Sequence, residues 1–216
     1  MKPTVKKFPT KTIAICALLS ALTMGATAVI AIPVPATGGF LNLGDGVLLF
    51  AGVVFGPIVG ATVGGIGSML ADLALGYVAF MPATLIAKGL EGALAGLIFL
   101  MLGKIKLNRH IAAWISIVPS VTVMMLGYFF AERIMFGSWA TAAAEIPGNC
   151  IQGAVGAAVC YLILIATMNI KGFSILVGKN YFYDYVIKGK SNVEASENTT
   201  TDTVNSDFLQ DDGGEH

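Results

Sequence analysis

Charge is scarce in this chain. Only 12% of the residues are Asp, Glu, Lys or Arg, where an ordinary soluble domain has about 25%, and 56% are hydrophobic. That scarcity excludes a water-soluble globule with an appended anchor. Cysteine is also rare: Cys16, Cys150 and Cys160 lie in apolar stretches without metal-ligand spacing, which argues against a disulfide framework. The two histidines, His110 and His216, stand at the start of an apolar run and at the end of the chain. No metal and no cofactor are expected. A GxxxxGK(S/T) phosphate loop is missing, so ATP hydrolysis by that route is excluded. Neither HExxH nor GxSxG occurs, and Gly65-Ile66-Gly67-Ser68-Met69-Leu70 is not a dinucleotide fingerprint. An enzyme is not expected, and neither is a nucleic-acid partner. No internal repeat supports an inverted-repeat carrier.

What the chain has is apolar length. The segment from Lys11 to Ala31 is long enough for a bilayer core, which needs about 20 residues. The lysines before it and Ala26-Thr27-Ala28 imitate a signal peptide. The apolar run from Ile13 to Ile32, however, exceeds the roughly 7–15 residues of such a segment, so it reads as a first span. An uncharged loop with Pro33, Pro35, Gly38 and Gly39 follows. The apolar stretch from Leu43 to Tyr77 is about two spans long and divides at Gly56-Pro57 into Asp45–Phe55 and Ile58–Gly76. Further spans are expected over Pro82–Leu102, His110–Phe130 and Pro147–Met168.

The placement of positive charge supports this division. Lys2, Lys6, Lys7 and Lys11 precede the first span, Lys104, Lys106 and Arg109 separate the fourth and fifth, and Lys171, Lys179, Lys188 and Lys190 follow the sixth. With six spans all of these fall on one side, the cytoplasm; with five the loop at Lys104 would face outward, against the positive-inside rule. The expected fold is therefore an all-α integral membrane protein of six transmembrane helices with both termini cytoplasmic. Residues 1–10 form the N-terminus and 11–170 the membrane domain. An interfacial segment rich in tyrosine covers 171–190, and 191–216 is an acidic tail with the composition of a disordered segment.

Polar residues inside these spans need a reason, because a charge in hydrocarbon costs roughly 2.5–3.5 kcal/mol even on lenient scales. Asp72 and Lys88 lie about 7–9 Å below the outer ends of adjacent antiparallel spans, by the helical rise per residue. They are expected to pair, as a structural ion pair or as ligand contacts. Glu91 shares the Lys88 face at i+3. Asp45 reads as a helix cap, and Asn42 as a loop amide free to meet a ligand. Asn149 and Gln152 share a face near the outer end of the sixth span, where two amides can read a neutral heterocycle or bond between helices. Tyr128 and Glu132 are weaker candidates, and Trp139 reads as a lid or an interface anchor. Small residues at helical spacing, namely Ala17, Ala21 and Gly25, then Gly52, Gly56, Gly60 and Gly64, then Gly92 and Gly96, suit close packing of helices.

The LGD, FGP, ADL and KGLEG pieces between Phe40 and Gly96, with Pro-Gly-Asn-x-x-Gln at Pro147–Gln152, resemble the substrate-binding S components of energy-coupling-factor (ECF) vitamin transporters. Within these the chain is most similar to the riboflavin/hydroxymethylpyrimidine-type group, over about Lys11 to Ile170. The resemblance implies six helices, a vitamin site near the outer face closed by the first loop, and partners. These are a transmembrane coupling subunit and two cytoplasmic ATPases, in a bacterial cell membrane. It also implies docking of the coupling subunit on the first helix, at Ala17 and Ala21 with Gly25 in the same stripe. The substrate-binding set is then Asn42, Asp72, Lys88, Glu91, Tyr128, Asn149 and Gln152. This mix of charges and amides suits a one-ring ligand, hydroxymethylpyrimidine or pyridoxine, ahead of riboflavin. The alternative is a stand-alone ion-coupled carrier in which Asp72, Lys88 and Glu91 relay protons.

Overall fold

The structure, a computed structural model, describes residues 10–34, 39–105, 107–168 and 170. The expectations for the first nine residues, for Pro35 and Gly38, for Lys106, and for segments 171–190 and 191–216 lie outside the described residues.

Six α-helices occur among the described residues: α1 (Thr10–Val29), α2 (Gly44–Phe55), α3 (Pro57–Leu75), α4 (Met81–Lys104), α5 (Arg109–Phe136) and α6 (Trp139–Met168). Five are long and apolar enough to cross a membrane; the exception is α2, with 12 residues. At the helical rise it spans about 18 Å, well short of a bilayer core of about 30 Å. Apart from Asp45 in its first turn it is apolar around its whole circumference, and such a helix belongs inside a bundle. It is packed against α1, α3, α4 and α6, and Leu48, Leu49, Val53 and Val54 are buried there.

The division at Gly56-Pro57 is where the sequence signals it. Gly56 has φ +94°, a backbone conformation that side chains disfavour, and Pro57 starts α3 without needing a hydrogen-bonded N–H. Downstream, the glycine stripes form the crossing of three helices. A methyl group on Gly60 would strike the Gly92 carbonyl of α4 and, at 2.6 Å, the Cα of Gly52 in α2. Backbone thus rests on backbone, and α2 is held against α3 and α4 at a distance no larger residue permits.

Three local expectations are corrected. The first loop holds a small antiparallel hairpin, β1 (Ile32–Val34) and β2 (Gly39–Leu41), with Pro33 opposite Phe40. α6 starts at Trp139, eight residues before Pro147, which lies inside the helix. Ser138 caps it, its hydroxyl accepting from the Thr141 N–H at 3.2 Å, and the alanine-rich run Ala140–Ala144 favours helix. Trp139 is therefore neither loop nor lid: it packs on Phe129 and Phe130 with the Arg133 guanidinium over its ring. The stripe Ala17, Ala21 and Gly25 faces outward from the bundle, with open space at Gly25, so internal packing is not its use.

Candidate functional site

Lys88 is the largest fully buried side chain among the described residues, 1% exposed, in the N-terminal third of α4. Its partner is not Asp72, as the depths suggested, but Asp45 of α2, with a second bond to Glu91 at 3.2 Å. The physical reason is a comparison of sizes. Capping a helix is worth about 1 kcal/mol, whereas a buried ammonium left without its partner costs about 3–5 kcal/mol. Asp45, itself fully buried in the first turn of α2, therefore serves Lys88 and not the helix end.

The network continues outward. The second Asp45 oxygen accepts from the Gln152 side-chain amide of α6 at 3.0 Å. The Gln152 carbonyl oxygen accepts from the backbone N–H of Asn42 at 2.9 Å and from its side chain at 3.5 Å. Asn42 in turn accepts from Gly44 N–H at 2.9 Å and from the Thr27 hydroxyl of α1 at 3.4 Å. One chain of hydrogen bonds thus ties α1, the segment before α2, α2, α4 and α6 together. Asn42 and Gln152 are committed to each other, contrary to the expectation of a free loop amide.

Above this network lies a cavity of about 450 Å³, counting the part open to solvent. It sits where the hairpin, the C-terminal ends of α1, α3 and α5 and the N-terminal ends of α2, α4 and α6 meet. Four of these helices offer residues one turn apart, hence on one face. They are Ser68 and Asp72 from α3, Thr84 and Lys88 from α4, Tyr128 and Glu132 from α5, and Glu145, Asn149 and Gln152 from α6. Thr27, Phe40, Asn42 and Phe80 complete the wall. Phe40 stacks at 4.5 Å from Tyr77, and Phe80 lies against Phe136. The Tyr128 hydroxyl donates to Thr84 at 3.0 Å, and Thr84 is the side-chain hydrogen-bond neighbour of Asp72.

Of the residues singled out in the sequence, Asn42, Asp72, Lys88, Tyr128, Glu132, Asn149 and Gln152 line this cavity. Glu91 does not; it is fully buried behind Lys88. Glu145, Ser68, Thr84 and Thr27 had no ligand reading from the sequence. Their signal was spacing: Glu145, Asn149 and Gln152 fall at i, i+4 and i+7, as do Thr84, Lys88 and Glu91. Among the described residues no group of His, Cys, Asp or Glu is placed to hold a metal ion.

Residues 7–169 match the model of the family described as ECF-type riboflavin transporter, S component. A protein of Lactococcus lactis subsp. cremoris named thiamine precursor transporter HmpT is 32% identical over 147 residues, covering 68% of this chain and 81% of that protein. An uncharacterized protein of Pyrococcus woesei is 35% identical over 130 residues, covering 60% and 83%. A solved structure described as the S component of a bacterial ECF transporter shares the fold, with a TM-score of 0.56 and 23% identity over 74% of this chain and 96% of that one.

Proposed function

Because the chain belongs to the ECF-type riboflavin transporter S component family, we propose that it captures a small water-soluble vitamin or vitamin precursor and delivers it through an ATP-driven complex made with other subunits. Captured ligand sits in the cavity above Lys88, with both chain termini on the cytoplasmic side and all six helices in the bacterial plasma membrane. Three further subunits are implied, a transmembrane coupling protein docked on the Ala17, Ala21 and Gly25 face of α1 and a pair of ATPases. The outward exposure of that stripe supports the docking reading.

The observation that carries the proposal is the cavity itself. It is lined by polar side chains from five helices in a protein otherwise built of apolar ones. The ligand we propose is a one-ring precursor, hydroxymethylpyrimidine first and pyridoxine next, ahead of riboflavin. The 32% identity to a protein named as a thiamine precursor transporter supports this order. Among the described residues the wall also has only Phe40, Phe80 and Tyr128 to offer a wide flat ring. A stand-alone proton-coupled carrier is disfavoured because Lys88, Asp45 and Glu91 are locked into one bonded network.

Reconstitution tests the proposal. Liposomes carrying this chain with its coupling subunit and ATPases should take up the vitamin only with ATP inside. Uptake by this chain alone, driven by a proton gradient, would overturn it.

A further inference from the structure

The carboxyl groups around the cavity are unevenly partnered. Asp45 and Glu91 share Lys88. Behind the wall they are paired, whereas Asp72, Glu132 and Glu145, which line the cavity, are 3%, 2% and 4% exposed, and each has a buried oxygen without a hydrogen-bond partner. Glu132 and Glu145 are near enough across the α5–α6 contact to repel each other. The nearest cation in sequence, Arg133, turns its guanidinium to the Trp139 ring, 5.0 Å from its centroid, and is not part of the wall. A second observation is independent of the acids. The Asn149 side chain, 6% exposed, lies on the same wall. Leaving one such buried polar group unsatisfied costs about 1–3 kcal/mol, so a wall with several of them is shaped for something that supplies the missing bonds. The one ammonium of the wall, Lys88, already holds two carboxylates.

We infer that Asp72, Glu132, Glu145 and Asn149 form a donor-reading subsite that selects a ligand with an amidine-type nitrogen edge, two or more N–H donors or a protonated ring nitrogen beside an amino group. The same subsite rejects ligands that present carbonyl or phosphate oxygens there. The inference rests on the vitamin-capture reading and sharpens it. An aminopyrimidine gives two carboxylates adjacent N–H donors and gives the Asn149 amide both a donor and an acceptor. A phosphate ester offers these carboxyl groups no N–H donor and is costly to strip of water, so the free compound and not its phosphate is the cargo.

The test is calorimetry on the purified full chain with four probes: hydroxymethylpyrimidine, its analogue with a ring carbonyl in place of the amino group, its phosphate ester, and riboflavin. The amino compound should bind at least roughly a hundredfold more tightly than the carbonyl analogue, because a site built for a donor is left with unpaired groups by a ligand lacking it. The phosphate ester should not bind measurably. Glu145→Gln and Asp72→Asn, read only if their thermal unfolding matches the parent protein, should each narrow the amino-over-carbonyl preference at least tenfold. Equal or tighter binding of the carbonyl analogue, the phosphate ester or riboflavin would overturn the inference while leaving vitamin capture standing. Absence of binding by every probe, with uptake by this chain alone, would overturn both.

Discussion

Lys88 of α4 and Asp45 of α2 are bonded to each other in the centre of the bundle, 43 residues apart in sequence and with neither side chain more than 1% exposed. The pair fixes where the short α2 helix sits and, through Gln152, where α6 meets it.

Breaking that pair is predicted to be expensive. Asp45→Ala should lower stability by about 3–5 kcal/mol, since Lys88 is left with a single partner in a dry interior. Adding Lys88→Met should recover a large part of the loss, because it removes the stranded charge. Thermal unfolding in detergent of both single variants and the double variant checks this. A double variant no more stable than Asp45→Ala would mean that the pair does not set the stability.

The glycine crossing makes a second prediction. Gly60→Ala places a methyl group against the Gly92 carbonyl and the Cα of Gly52. Backbone cannot give way as a side chain can, so destabilisation by about 1–3 kcal/mol is expected. Gly25→Ala, with nothing within 4 Å, should leave unfolding unchanged. Equal effects of the two changes would contradict the crossing.

The outward stripe on α1 predicts a separation of functions. Ala17→Leu with Ala21→Leu should abolish ATP-dependent uptake and leave ligand affinity intact, since bulky residues hold a partner helix away from the face. Loss of ligand binding in this variant would refute the docking role.

Asn149 predicts a direct effect on the ligand. Its amide lies on the cavity wall, so Asn149→Leu should weaken binding by about 1–3 kcal/mol with little change in unfolding temperature. Unchanged affinity measured by titration would remove Asn149 from the site.

How much of this was legible in the sequence follows from what one dimension encodes. The helix break at Gly56-Pro57 and the proline in the first turn of α4 were readable because they are backbone chemistry, local to a few residues. The start of α6 was not, because Pro147 looks like an opener while the cap at Ser138 is a single hydroxyl before a run of alanines. The hairpin was hidden in an uncharged Pro/Gly loop. Depth along a helix placed Asp72 and Lys88 at one level, but rise per residue says nothing about which way a side chain points around the axis. Lys88 turns to α2, and Asp72 is left to Thr84 and the cavity. Asp45 was misjudged for the same reason: its role depends on a helix packed inside four others, which no local pattern announces. The polar spacing on α6 did reveal Asn149 and Gln152, and one more turn back along it would have added Glu145.

The most direct test is the identity of the small molecule that the protein carries through purification, read by mass spectrometry of the denatured and the native protein. A one-ring compound with an amino or hydroxymethyl group, displaced in Asn149→Leu, is the result predicted here. A yellow preparation that releases a flavin would contradict it.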